Sequence, residues 1–239
     1  MEVLEDAGFQ VEVPRPNLCC GRPLYDYGML GTARRLLLEV LEVLRPQIRE
    51  GIPVVGLEPS CVSVFRDEMT DLLYGNEDAR RLEQQTWMLS EFLERKANGY
   101  QPPRVHRKAV VQAHCHHQAI MKFTDEEKIL DKTGLDYQVL DSSCCGMAGA
   151  FGYEKGDHFE VSLACGERVL LPSVRSAPKE TLIIADGFSC REQISQATNR
   201  PALHLAQVLQ MGMHEQNGAG RILNAPTHEK RAAAPNGLA

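Results

Sequence analysis

Two neighbouring cysteines followed by glycine occur twice in this chain, as Cys19-Cys20-Gly21 and as Cys144-Cys145-Gly146. Adjacent cysteines rarely bond to one another, because a vicinal disulfide strains the peptide between them; they are better placed as two ligands to one metal centre. The second pair sits in Asp141-Ser142-Ser143-Cys144-Cys145-Gly146-Met147-Ala148-Gly149-Ala150, where little beyond Met147 is bulky. Small residues let backbone amides approach and donate hydrogen bonds to sulfur, whether thiolate or inorganic sulfide. Gly21, Gly146 and Gly149 are therefore candidate cofactor contacts.

Composition narrows what such pairs can mean. At 239 residues and 43% hydrophobic content the chain can bury a core without staples. Its net charge of −6, with a pI near 5.8, gives no basic footprint, which argues against a nucleic-acid partner. No apolar run approaches the roughly 20 residues needed to cross a bilayer, and the N-terminus has no signal-like pattern, so a cytoplasmic location is expected. Eight cysteines in that setting point to metal or redox chemistry rather than to structural disulfides.

In chain order, residues 1–8 read as the end of an amphipathic helix stopped at Gly8, and Phe9 to Val13 alternates as a strand. Residues 28–50 carry a helical stripe of Leu30, Ala33, Leu36, Leu37, Val40, Leu41 and Leu44, interrupted late by Pro46. A buried parallel strand over residues 52–57 leads through Glu58-Pro59-Ser60-Cys61 to the start of a helix from Val62 to Tyr74. Cys61 thus meets the positive end of a helix dipole, which favours the thiolate. One helix is expected over residues 78–96, then a linker with Pro102 and Pro103. A strand over residues 109–113 runs into His114-Cys115-His116-His117, with helical residues to Phe123 and from Lys128 to Lys132. A strand over residues 137–140 leads to Cys144. A helix over residues 156–171, a strand over residues 181–185 and Gly187-Phe188-Ser189-Cys190 follow, before a closing helix over residues 202–211. From His214 the chain reads as a disordered tail.

The two halves match in kind. Each has Cys-Cys-Gly, a long helix, a strand and then Ser-Cys; Cys20 to Cys61 is 41 residues and Cys145 to Cys190 is 45. The expected fold class is α/β: two tandem related βαβ-type lobes with parallel sheets, a pseudo-twofold duplication. The domains are then residues 1–97 for a first repeat, 98–107 for a linker, 108–213 for a second repeat and 214–239 for the tail. Cys115 has no counterpart in the first copy, so the first lobe is expected to be N-terminally truncated. Cys115, Cys144, Cys145 and Cys190 form one candidate ligand set, and Cys19, Cys20 and Cys61 another. Glu58 is a candidate oxygen ligand or a helix cap. His114, His116 and His117 are candidates for ligands, donors to sulfur or polar caps, while Cys165 reads as a small core hydrophobe.

This pattern resembles the cysteine-rich CCG domain, two copies of which build one of the heterodisulfide reductase subunits and which recurs in FAD-linked glycolate and lactate oxidases. Glu58-Pro59-Ser60-Cys61 and His114-Cys115-His116 resemble the oxidase branch most closely. The resemblance covers residues 1 to 212. It implies a four-iron four-sulfur cluster, FAD on a missing domain or partner, and partners comprising an FAD-binding dehydrogenase domain and a ferredoxin-like domain. Membrane association would then be peripheral, through those partners. The heterodisulfide reductase pattern ends in Cys-X-X-Cys, and Glu58 and Gly187 stand at the first position of that pair here. This puts a noncubane cluster in doubt and leaves three readings: electron transfer, thiol-disulfide catalysis at a cluster, and a zinc-binding docking module. No side-chain constellation for hydride or proton abstraction is visible.

Overall fold

The computed structural model describes residues 1–216 and 218. Short helices α1 (Glu2–Asp6) and α2 (Arg22–Asp26) precede the long α3 (Leu30–Glu50). Strand β1 (Val54–Gly56) is followed by α4 (Pro59–Arg66), α5 (Glu68–Leu72) and α6 (Glu77–Gln85), then β2 (Thr86–Met88) and α7 (Leu89–Arg95). Strand β3 (Lys108–Gln112) leads through a π-helical turn, His117–Met121, into α8 (Thr124–Thr133) and β4 (Asp136–Val139). A 3-10 turn, Phe151–Tyr153, precedes α9 (Asp157–Glu167), α10 (Leu170–Ser176), β5 (Leu182–Ala185), α11 (Phe188–Ala197) and α12 (Leu205–Gln216).

The fold is mixed α/β with two short parallel sheets. One pairs β1 with β2, with Val54 opposite Thr86 and Gly56 opposite Met88. The other has the order β4-β3-β5, with Val110 of the central strand opposite both Gln138 and Ile183. Val3, Leu89, Leu93, Val111, Leu130 and Leu209 share one core, so α1, α7, α8 and α12 all pack around β3. A second core gathers Leu37, Val40, Leu41 and Ile48 of α3 against Met69 and Leu82. Between the sheets, Val62 of α4, Met88 of β2 and Met121 of the π turn form an apolar seam.

Several elements depart from expectation for identifiable reasons. Residues 9–13 form no strand: the Phe9 ring packs on Phe92 with centroids 4.8 Å apart, and Val13 is 60% exposed. Helix α3 runs through Pro46 unbroken, because Ile48 beyond it is as fully buried as Leu37 before it. That burial offsets the roughly 3 kcal/mol of an interior proline. The helix expected to reach Tyr74 starts earlier, at Pro59, and breaks at Asp67.

The expected helix over residues 78–96 is cut by β2. Thr86 Oγ1 donates to the Leu82 carbonyl at 2.7 Å, closing α6, and Met88 N donates to buried Glu91 Oε2 at 3.0 Å, opening α7. The residues between are extended and pair with β1. The helix expected over residues 156–171 stops at Glu167 and restarts at Leu170, where Pro172, lacking an N–H, is tolerated in a first turn. Residues 214–216, expected in the tail, finish α12; the rest of that tail, apart from Gly218 in a turn, lies outside the described residues.

Candidate metal centre

Parallel strands that all point one way bring the loops after their C-terminal ends together, and open α/β sheets build their sites there. Central β3 ends at Gln112 and delivers His114 and Cys115. Its neighbour β4 leads into Cys144 and Cys145, and its other neighbour β5 leads into Cys190. Strand order alone therefore converges four thiols. The Cys115 and Cys145 thiols both lie against Cys144, and Cys190 lies against Cys145. Cys145 and Cys190 are buried, and all eight cysteines are free.

Three features hold this loop. Buried Gln112 donates to the Ser143 carbonyl at 3.3 Å and receives the Ser142 hydroxyl. Gly146 N donates to Cys144 Sγ at 3.3 Å. Gly146 itself has φ +99°, and a Cβ there would fall on the Ser162 carbonyl oxygen, so only glycine fits. Ser143 (φ 56°) and Ala148 (φ 39°) also occupy the left-handed region, a concentration of strain typical of functional loops. Hydrogen bonds from Cys115 and Cys145, joined by the Gly146 amide, pull the Cys144 thiol down to about 2. The same bonds, with burial, push the donors Cys115 and Cys145 up. The contacts run in a row, Cys115 to Cys144 to Cys145 to Cys190, and a bound cation would favour the thiolate at each.

The other thiols assemble differently. Cys61 lies in the first turn of α4, delivered by β1, and Cys20 Sγ sits 2.8 Å from its sulfur. Cys20 follows no strand of its own: it arrives on the unpaired segment before α2, and Cys19 beside it is exposed. Gly21, at φ +78°, donates its amide to Cys19 Sγ at 3.4 Å, the same arrangement as at Gly146. The hydrogen bond with Cys61 draws the Cys20 thiol down and pushes Cys61 up.

Among the other sequence candidates, Glu58 is a helix cap. Its Oε1 accepts from Ser60 N at 3.3 Å and Ser60 Oγ at 2.6 Å, and its Oε2 accepts from Phe188 N at 2.6 Å at the start of α11. Both oxygens are thus engaged. Gly149 packs against Asp26 of α2, whose Oδ2 would lie 2.7 Å from an added Cβ. His114 is buried, and burial is the main cause that takes it down to about 4; its Nδ1 accepts from His116 N at 3.2 Å. The ring covers Gly187: a Cβ there would fall on His114 Cδ2 and lie 3.1 Å from Nε2. Donor atoms of His114, Cys115 and His116 lie within 4.8 Å of one another. His117 joins a different group, with Glu126 and Asp186.

Arg22 was not singled out from the sequence. Directly after the first Cys-Cys-Gly, it is 6% exposed and pairs with Glu68 at 2.6 Å while donating to Ser63 Oγ at 2.8 Å. A cation immediately following paired thiols was the available signal. Cys165, read as core, donates to the Cys144 carbonyl at 3.5 Å and stands beside the second thiol loop.

Four thiols converging at parallel strand ends, with amides directed at sulfur, define a cysteine-rich α/β metal-binding protein. Residues 1–66 and 109–195 match the cysteine-rich domain CCG, and the chain belongs to that family. It is 29% identical over 218 residues to one of the subunits of anaerobic glycerol-3-phosphate dehydrogenase from Escherichia coli (strain K12), covering 87% of this chain and 54% of that protein. Lactate utilization protein A of Bacillus velezensis is 28% identical over 223 residues, 87% of this chain and 90% of that one. D-2-hydroxyglutarate dehydrogenase of Pseudomonas putida is 26% identical over 196 residues, 81% of this chain but 18% of the relative. The chain thus spans about half the length of the glycerol-3-phosphate dehydrogenase relative and a small part of the hydroxyglutarate enzyme. No helix among the described residues is long and apolar enough to cross a membrane.

Proposed function

We propose that the chain is the iron-sulfur electron-transfer module of an FAD-linked dehydrogenase that oxidises the CH–OH group of a 2-hydroxy acid. The observation that carries this is the convergence of Cys115, Cys144, Cys145 and Cys190 from three adjacent strand ends. Four thiols in a row of successive contacts, Cys115 to Cys144 to Cys145 to Cys190, partly buried and served by a backbone amide, fit a four-iron four-sulfur cluster. Such a cluster supplies a one-electron carrier. The chain's own residues would hold it by thiolates, with Gly146 N donating to Cys144 Sγ and with His114 and the buried Cys145 and Cys190 limiting water access. The three relatives are named for glycerol-3-phosphate, lactate and D-2-hydroxyglutarate, each a secondary alcohol, and this supports a CH–OH substrate on a flavin-bearing partner.

Cys19, Cys20 and Cys61 form a second, three-thiol place on this reading, derived from a duplicated unit. The His114 ring over Gly187 supports a four-cysteine cluster rather than the noncubane type, because a fifth thiol at residue 187 has no room. Disulfide-reducing chemistry at the cluster is correspondingly disfavoured. Operation in the cytoplasm, beside flavin-bearing and ferredoxin-like partners, completes the reading.

Iron, zinc and acid-labile sulfide on anaerobically purified protein test it. About four iron and four sulfide per occupied site, with a paramagnetic signal on one-electron reduction, is the expected result. Absence of sulfide, with zinc in a sulfur shell, would replace the electron carrier with a docking module.

A further inference from the structure

Away from the thiols, the structure closes three buried titratable side chains on one another. His117 is fully buried in the π turn, Glu126 is 1% exposed in the first turn of α8, and Asp186 is 4% exposed between β5 and α11. Their donor atoms lie within 4.8 Å of one another. Neither nitrogen of His117 has a hydrogen-bond partner, and Glu126 Oε2 and Asp186 Oδ2 have none either. A buried polar atom left alone forfeits its hydration without return, so one ring nitrogen and two carboxylate oxygens gathered within 4.8 Å call for a common occupant. A proton shared by the two carboxylates would serve them alone and leave both nitrogens of His117 unpartnered.

The neighbouring cations do not fill that role. Asp186 Oδ1 accepts from Leu205 N at 2.8 Å and lies 3.5 Å from His204 Nδ1. His204 Nδ1, however, accepts from Ala206 N at 2.9 Å, and its Nε2 faces the Leu57 carbonyl at 2.8 Å. A ring that accepts at Nδ1 and donates at Nε2 is the neutral tautomer, so His204 brings no charge. Arg95 is paired with Asp125 at 2.5 Å, Arg66 with Glu91 at 2.6 Å, and Arg191 turns to the carbonyls of Ala185 and Asp186.

We propose that His117, Glu126 and Asp186 bind one zinc ion at a site separate from the thiols. One imidazole and two carboxylates are ordinary zinc donors, at about 2.0–2.2 Å. Donors around one ion at that range lie within about 4.4 Å of each other, so closure needs only a small side-chain movement. The ion neutralises two buried carboxylates and gives His117 a partner. It also joins the turn after Cys115 to the loop before Cys190, fixing two thiol-bearing segments from behind. The site is independent of the thiol reading, since it shares no ligand with it.

The test is zinc content and zinc-edge X-ray absorption on anaerobically purified full-length chain expressed with zinc, beside His117→Ala and Glu126→Gln. About one zinc per chain in a nitrogen and oxygen shell is expected, falling toward zero in both variants while sulfide-matched iron is unchanged. No zinc in the unmodified chain, a sulfur shell around it, or retention in both variants would overturn the proposal. If neither variant folds, the shell around zinc in the unmodified chain decides. Loss of iron and sulfide with zinc intact would strike the electron-transfer reading instead.

Discussion

The two thiol places are made by different means. Cys115, Cys144, Cys145 and Cys190 are carried by β3, β4 and β5, three neighbouring strands of one sheet, whereas only Cys61 of the other place follows a strand. Cys19 and Cys20 ride on a segment without sheet partners, and an arginine salt-bridged to Glu68 takes up the room beside them. A sheet with a central strand supplies ligands from both sides. A two-stranded edge supplies them from one side, and a buried cation with a capping carboxylate fill the remainder.

That contrast can be broken most severely at Cys144. Cys144→Ser is expected to remove about four iron and four sulfide per chain from the sheet-built place, whereas Cys61→Ser leaves that iron in place; anaerobic metal and sulfide analysis of both separates them. Equal loss in the two variants would mean that the places are one centre.

The next effect is on stability. Gly146→Ala adds left-handed strain to a direct clash with the Ser162 carbonyl and should destabilise by about 4 kcal/mol or more. Gly21→Ala, whose Cβ would lie 3.2 Å from Ala33 Cα, should cost only about 1–2 kcal/mol. Urea unfolding of the two proteins reads the difference directly. Glu68→Ala then leaves buried Arg22 with Asp26 at 3.5 Å as its remaining ion pair; a loss of about 2–3 kcal/mol is expected, without change in iron at Cys144. The smallest effect should come from Cys165→Ser, which keeps a donor for the Cys144 carbonyl. Iron content unchanged and stability within about 1 kcal/mol are expected, and loss of iron would make Cys165 a ligand.

Much of this was written in the sequence where local rules and tertiary needs agree. β3, β4 and β5 lie where apolar runs end in punctuation, and each precedes a thiol, so the second place was legible residue by residue. β2 was hidden because Trp87, Leu89, Phe92 and Leu93 repeat at helical spacing; only its pairing with β1 keeps Thr86, Trp87 and Met88 extended. The alternation in residues 9–13 misled for the opposite reason, since a strand needs a neighbour as well as a pattern. The grouping of His117 with Glu126 and Asp186 joins three separate elements and has no linear signature. Glu58 looks as much like a ligand as a cap until the Phe188 amide takes its second oxygen.

That last bond sets a length. Glu58 caps its own helix with one oxygen and receives the start of another helix with the other, and each helix carries a thiol within its first turn. For a chain that passes electrons, tunnelling falls exponentially with separation. On the function proposed above, a single carboxylate bridging the two helix starts would be a gauge block, holding constant the gap on which the rate would depend.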